Sequence, residues 1–127
     1  MRMLTHEELT LRWREIEPRV SLALSHGTGE CSPFDLFKEC LSSNAQAWEH
    51  EGLFAITRFN HFPQYKQLQI VVLEGGFFDT DWDYCLEFLT GFAKELDCKN
   101  ISVWGRPGWK RVLKNFHEPY TVLIKEV

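Results

Sequence analysis

The amino-acid sequence predicts an α/β protein with a single mixed sheet and helices on both faces of that sheet. Up to about residue 44 the apolar residues recur at helical spacing, whereas from residue 45 they alternate as they do in strands. The predicted elements run α, α, β, β, β, α, β, α, β without a linker or an internal repeat. One sheet covered on both sides satisfies this order.

Length and composition fit one domain, which we expect to span residues 1–127, with a helical part at 1–44 and a sheet with two helices at 45–127. The chain is 44% hydrophobic and 25% charged, which is typical of globular domains. Its formal net charge of −4 argues against general nucleic-acid binding, which needs a basic surface. The sequence lacks an apolar run of about 18 residues and an apolar leader, so we expect a cytosolic protein without membrane contact.

Two helices are predicted in the amino-terminal part. Thr5 and Glu8 have the spacing of a capping box, and Pro18 is expected to break or kink the helix that follows them. Ser32, followed by a proline and an acid, predicts the start of a second helix that ends near Leu41. The buried stripe of this second helix is expected to consist of Phe34, Phe37, Cys40 and Leu41.

The remaining elements follow from alternation, turn residues and caps. Glu51 and Gly52 predict a tight turn between two antiparallel strands. Asp79 or Asp81 is expected to cap the long helix of the carboxyl-terminal part. The predicted strands cover residues 46–50, 53–59, 68–73, 101–104 and 120–124, and a short helix is predicted over 107–116.

The four cysteines do not form a metal-binding pattern. They stand 9, 45 and 13 positions apart, without the two-residue spacing of a zinc knuckle. We therefore expect free thiols and no metal site.

The order of elements is similar to that of the GNAT family of N-acetyltransferases, with the first strand missing or not visible in the sequence. The resemblance covers residues 53–127. In that family, amides of the loop before the central helix hold the pyrophosphate of coenzyme A at the helix amino terminus, where the helix dipole favours an anion. The resemblance implies that, in an active enzyme, Gly75, Gly76 and Asp79 would contact the cofactor.

The loop of this chain departs from the family pattern. Gly75 and Gly76 are adjacent and precede two phenylalanines, and three aspartates follow at positions 79, 81 and 83. Carboxylates at this place oppose the approach of a pyrophosphate. We therefore expect no cofactor, with acetyl-coenzyme A as the alternative.

The resemblance also suggests residues for acetyl transfer, should the chain be active. The reaction needs a base for the ammonium proton of the acceptor amine and an acid for the leaving thiolate. Glu74, at the carboxyl end of the central strand, is the candidate base. His117 and Tyr120 are the candidate acids.

The carboxyl-terminal part resembles small proteins of tailed bacteriophages that have a degenerate acetyltransferase-like fold. The resemblance rests on residues 101–113, with a Gly-Arg-x-Gly-Trp segment, and on 120–126. It implies a non-catalytic structural or interaction protein. Separately, Arg106, between two glycines, is expected to fix its turn through bonds to carbonyls or a carboxylate, with anion binding or a protein interface as the alternatives. Trp104 and Trp109 would flank it, and the three are candidate contact residues because Trp and Arg are enriched at interface anchors. The partner would be a phage or host protein or a second copy, and the location the host cytoplasm or the virion.

Overall fold

The computed structural model describes residues 1–75, 81–104, 109, 111 and 113–127, and it describes only the backbone of Asp81. The described part of the chain forms five strands and three helices. The elements are β1 (Arg2–Met3), α1 (His6–Leu24), α2 (Pro33–Leu41), β2 (Ala45–His50), β3 (Leu53–His61), β4 (Lys66–Glu74), α3 (Asp81–Glu95) and β5 (Asn100–Val103). The strands lie in the order β1-β2-β3-β4-β5 in one sheet. Only the β4–β5 pairing within this sheet is parallel, so the predicted mixed sheet is confirmed.

Helices cover both faces of the sheet, as predicted, because side chains of the central strands alternate between two cores. In β3, Phe54 and Ile56 pack in the core that contains buried residues of α1 and α2. Leu53 and Ala55 point the other way, into the core that contains the buried side of α3. The turn between β2 and β3 is also as predicted, with φ of 43° at Glu51 and 88° at Gly52.

Helix α1 begins at the predicted capping box but continues through Pro18. The Glu8 amide donates to Thr5 Oγ1 at 3.0 Å, and Glu8 Oε1 accepts from the Thr5 amide at 3.0 Å. Pro18 was expected to break or kink the helix; the break was wrong, since one helix runs from His6 to Leu24, and the kink stays a prediction. Pro18 is exposed, while Ile16 and Val20 on either side of it are buried, so tertiary packing holds both halves in one helix.

Helix α2 begins at the predicted cap, Ser32, but it buries a different stripe from the one expected. Leu36 and Cys40, four residues apart, face the core. Phe34 is 60% exposed and Leu41 is 41% exposed, so their assignment to the core was wrong. Phe37 is partly buried, with its ring centroid 4.6 Å from that of Trp13.

The strands at the two ends of the chain differ from those listed from the sequence, and the strand expected over residues 120–124 was wrong. The first strand, missing or not visible in the sequence, is present as β1, which pairs with β2 through Arg2 and Met3 and places a strand in the part expected to be helical. Two residues are too few to show alternation in a sequence. Residues 120–124 have strand-favouring side chains but form no strand, because β-propensity requires a sheet surface to pack on.

Four of the ten residues of the predicted helix over residues 107–116, at positions 107, 108, 110 and 112, lie outside the described residues. Within the described part, the Leu113 amide donates to the Trp109 carbonyl at 3.0 Å, which closes one helical turn. Lys114 and Asn115 are in a turn rather than in a helix.

Hydrogen-bonded amide side chains join three strands on the face of the sheet opposite α3. Asn60 Nδ2 of β3 donates to Gln67 Oε1 and Gln69 Oε1 of β4, at 3.1 and 2.8 Å. Gln67 Nε2 donates to Asn100 Oδ1 of β5 at 2.9 Å, and Ser102 Oγ donates to Gln67 Oε1 at 2.8 Å. Gln67 and Gln69 are buried, so these bonds replace the water that their amides lose.

Candidate functional site between strands β4 and β5

The two parallel strands pair along only part of their length. Their register runs from Gln67 opposite Asn100 to Ile70 opposite Val103, where β5 ends. Strand β4 continues to Glu74, so residues 71–74 have no partner in β5. The sheet therefore opens at the carboxyl end of β4, which is where ligands commonly bind in sheets with parallel strands.

A β-bulge lies at the point of separation. Ile56 of β3 is opposite Val72 of β4, and the next residue, Thr57, is opposite Ile70, so Val71 has no partner in β3. A bulge of this kind bends its strand and redirects the side chains that follow it. Here it coincides with the residue after the last β4–β5 pair.

A small crevice occupies the opening. Its volume is about 40 Å³, and it is lined by Ala23, His26, Ile70, Val71, Leu73, Val103, Trp104 and Trp109. The lining is apolar apart from the His26 imidazole, the indole N–H groups and the backbone. A space of this size holds about one water molecule, whose share of liquid volume is about 30 Å³.

His26 lines the crevice, and the sequence did not indicate that it would lie there. It follows the end of α1, in a stretch that the glycines at 27 and 29 mark only as a loop. Its place beside β4 results from the packing of α1 on the sheet, and no local motif could have shown it.

Glu74, the predicted base, is engaged in an ion pair away from the crevice lining. Both Nε and Nη2 of Arg19, in α1, contact Glu74 Oε2. Arg19 Nη2 also donates to the Gly52 carbonyl at 2.8 Å, and its guanidinium lies 5.4 Å from the centroid of the Phe54 ring. Glu74 thus joins the end of β4 to α1 and to the β2–β3 turn, which is a structural role.

Gly75, the residue after Glu74, packs closely against the β2–β3 turn. Its φ is +83°, and a Cβ at this position would lie 2.4 Å from the Gly52 carbonyl oxygen. A glycine is therefore required here for backbone packing. Gly76 and Asp79, the other two residues expected to contact a cofactor, lie outside the described residues.

The structure does not bring the predicted acids to the crevice. His117 and Tyr120 follow the turn at 114–115, both are exposed, and neither lines the crevice. Tyr120 is 71% exposed. None of the three residues predicted for acid–base chemistry, Glu74, His117 and Tyr120, therefore lines the crevice.

Two of the three predicted contact residues do lie together. Trp104 and Trp109 both line the crevice, Trp104 with 59% of its surface exposed and Trp109 partly buried against the α3 core. Arg106, which we expected between them, lies outside the described residues.

Thiol and metal chemistry receive no support in the described part of the chain. All four cysteines are free, as expected, and burial raises the pKa of the Cys40 thiol to about 12, which keeps it protonated near neutral pH. No group of three or more His, Cys, Asp or Glu side chains that could hold a metal ion occurs among the described residues. None of the described helices is both long and apolar enough to cross a bilayer.

Solved structures share this arrangement of strands and helices. An acetyltransferase assigned in Clostridium acetobutylicum, solved with acetyl-CoA, superposes with a TM-score of 0.73 at 15% identity, over 98% of this chain and 94% of its own. The ribosomal-protein-alanine N-acetyltransferase of Brucella melitensis biovar Abortus 2308 superposes with a TM-score of 0.66 at 10% identity, over 99% and 97% of the two chains. This chain has the GNAT acetyltransferase fold.

Sequence comparisons do not extend this similarity. No protein-family model matches the chain, and no curated protein sequence matches it. A further solved structure, described as a probable acetyltransferase, covers the full length of both chains with a TM-score of 0.65 and 15% identity. The GNAT similarity is therefore one of fold.

The crevice that the described residues form between β4 and β5 is too small to enclose acetyl-coenzyme A, and residues 76–80 and 105–108 beside this opening lie outside the described residues. Pockets for ligands of drug size have volumes of roughly 300–1,000 Å³, whereas the crevice between β4 and β5 has about 40 Å³. Trp104 and Trp109 belong to its lining.

Proposed function

We propose that this chain is a catalytically silent interaction module on a GNAT scaffold, a phage protein that is associated with the virion or binds a host protein in the host cytoplasm. The observation that supports this most directly is the crevice, which has about 40 Å³ where acetyl transfer would need space for its reactants, and whose described lining holds one ionisable side chain, His26, rather than an acid–base pair. The ion pair of Glu74 with Arg19 adds to this argument. The phage setting rests on the sequence resemblance of the carboxyl-terminal part.

An exposed aromatic strip on α3 supports a role in protein contacts. Tyr84 is 49% exposed and Phe88 is 41% exposed, one helical turn apart, and their ring centroids are 6.4 Å apart. His50, at the end of β2, extends the strip, with its ring centroid 5.3 Å from that of Tyr84. Exposed aromatic side chains in a cluster are typical of interface anchors.

Calorimetric titration with acetyl-coenzyme A tests whether the chain binds this cofactor. We expect no binding at millimolar cofactor, with an active N-acetyltransferase as the positive control for the reagent. One-to-one binding with a micromolar Kd would contradict the proposal.

Mass spectrometry of purified virions and affinity capture from host lysate test the contact function. We expect the chain in the particle or a specific host partner on the resin. The variant Tyr84→Ala/Phe88→Ala should lose that partner, while Leu11→Ala, which truncates a side chain that is 76% exposed on α1, should retain it. A chain absent from virions whose capture pattern is the same for both variants would count against a role in contacts.

The separation of β4 from β5 favours a second candidate function, an active N-acetyltransferase. The strands part beside a histidine, and the GNAT relatives named above include one solved with acetyl-CoA. Thiol release from acetyl-coenzyme A with a panel of amines tests this function. It predicts turnover that His26→Ala abolishes, whereas the interaction module predicts no turnover in either protein.

A further inference from the structure

One line of side chains on helix α3 is open to solvent along most of the helix. Tyr84, Phe88, Gly91 and Glu95 follow one another at spacings of four, three and four residues, so they share one face of the helix. All four are exposed, Tyr84 by 49% and Phe88 by 41%. This α3 stripe presents two aromatic rings, a glycine and a carboxylate to a partner.

Gly91 leaves a gap in the middle of the α3 stripe. Apart from proline, glycine is the residue least favourable in the interior of a helix. Beyond its chain neighbours and the backbone of its own helix, no described atom lies within 4 Å of the place that a Cβ would take. Packing within the described part of the chain therefore does not call for a glycine here, whereas the close approach of a partner to α3 would.

The α3 stripe is complementary to a second copy of itself. When two identical helices pack antiparallel around a twofold axis, residue i of one lies opposite residue j of the other, and j lies opposite i. An axis between Phe88 and Gly91 places the Phe88 ring of each copy over the gap at Gly91 of the other. The same axis places the Tyr84 hydroxyl near the Glu95 carboxylate of the other copy, to which it can donate a hydrogen bond.

Charge favours the antiparallel direction for this pair. Glu87 and Lys94 are exposed and seven residues apart, so they lie on the same flank of the stripe, about two helical turns from each other. Equivalent flanks face each other in an antiparallel pair, which brings Glu87 of each copy near Lys94 of the other. A parallel pair would instead bring Glu87 to Glu87 and Lys94 to Lys94.

We infer that two copies of this chain associate by antiparallel packing of their α3 stripes, with Phe88 of each copy on Gly91 of the other and with two Glu87–Lys94 ion pairs. The inference rests on the contact function proposed above, since the α3 stripe shares Tyr84 and Phe88 with the aromatic strip. It names a second copy as the partner that covers these rings.

Sedimentation equilibrium of the full-length chain tests the dimer. We expect twice the 15.0 kDa chain mass at micromolar concentration. Gly91→Gln should give the monomer mass, because its side chain takes the place of the Phe88 ring of the other copy. Its circular dichroism spectrum should keep the helical signal, since glutamine favours a helix more than glycine does. Leu11→Gln, at an exposed apolar position of α1, should remain a dimer.

A charge exchange tests the direction of packing. Glu87→Lys and Lys94→Glu should each raise the Kd of the dimer about tenfold, because each replaces two attractive pairs with two repulsive ones. The double variant should restore the Kd of the wild type. Arg14→Glu makes the same change of charge at an exposed position of α1, and it should leave the Kd unchanged.

Three results would overturn the inference. They are a wild-type chain at the monomer mass at every concentration, a dimer that Gly91→Gln leaves intact, and a double charge variant as weak as the single ones. The function proposed above fails separately. A monomer that still captures a host protein through Tyr84 and Phe88 keeps the contact function and refutes the second copy, whereas a dimer that binds acetyl-coenzyme A refutes only the absence of cofactor binding.

Discussion

At the scale of single residues, one corner of the molecule shows how backbone geometry limits what chemistry can be placed there. Arg19, Gly52, Glu74 and Gly75 meet where α1, the β2–β3 turn and the end of β4 converge. The sequence indicated that Glu74 and Gly75 end a strand, but it could not indicate the ion pair, because Arg19 is 55 positions away. That long-range contact gives Glu74 a structural role, while its assignment as the base stays a prediction.

Gly75→Ala tests this corner. The substitution should destabilise the fold by about 1–3 kcal/mol, because alanine is strained at a φ of +83° and its Cβ would collide with the Gly52 carbonyl. Gly29→Ala is the matched control, since Gly29 has a φ of +82° and open space around it. Urea unfolding gives both values. Equal losses for the two variants would show that the close approach to Gly52 contributes nothing.

At the scale of elements, the predictions succeeded where the signal was local and failed where it was not. The caps at Thr5 and Ser32 and the turn at Gly52 follow from neighbouring residues, and all three are confirmed. Whether helix α1 passes through Pro18 and whether residues 120–124 form a strand depend on distant packing. The crevice has the same origin, since its walls come from α1, β4, β5 and Trp109.

The capping boxes predict how stability depends on pH. The backbone amide of Thr5 and the guanidinium of Arg2 hold the pKa of the Glu8 carboxyl below its ordinary value of 4.5, and the Ser32 amide lowers that of Asp35 from 3.8. A lowered pKa in the folded state stabilises the fold above the ordinary pKa, and this contribution is lost as the pH falls through the folded value. Stability should therefore decline as the solution is acidified below about pH 4.5.

Glu8→Gln isolates this effect. The variant should be less stable than the wild type at pH 7, and this difference in the free energy of unfolding should shrink as the pH falls below about 4.5. Glu7→Gln removes a charge from the same helical turn without touching the cap, so it should keep the acid sensitivity of the wild type. Urea unfolding between pH 3 and 7 measures both. A constant difference between Glu8→Gln and wild type at every pH would refute the assignment.

At the scale of the whole molecule, the sheet separates two cores that the sequence assigned to one domain. Leu36 belongs to the core that includes α1 and α2, and Leu89 to the core that includes α3. Both cores contain alternate residues of β3 and β4, so neither face can lose its packing without exposing the strands to water. We expect the chain to unfold as one cooperative unit.

Leu36→Ala and Leu89→Ala test this cooperativity. Each should lower the free energy of unfolding by about 2–5 kcal/mol, because both side chains are fully buried. Tryptophan fluorescence and circular dichroism should report a single shared transition in both variants, and Leu11→Ala should differ from wild type by less than about 0.5 kcal/mol. Two separate transitions, each shifted by one variant, would contradict a single domain.

The amide side chains that cross β3, β4 and β5 have a consequence for how the parallel strands find their alignment. A slip of one residue turns every side chain of a strand to the opposite face, so burial already opposes it. A slip of two residues keeps the faces and lets one aliphatic contact replace another, but it breaks the hydrogen bonds between the amide side chains. The hydrogen bonds among the side chains of Asn60, Gln67 and Asn100 thus favour the native alignment of β3, β4 and β5. A Gln67→Leu variant would keep a side chain of similar size but lose the hydrogen bonds that distinguish the native alignment of the strands from shifted alignments.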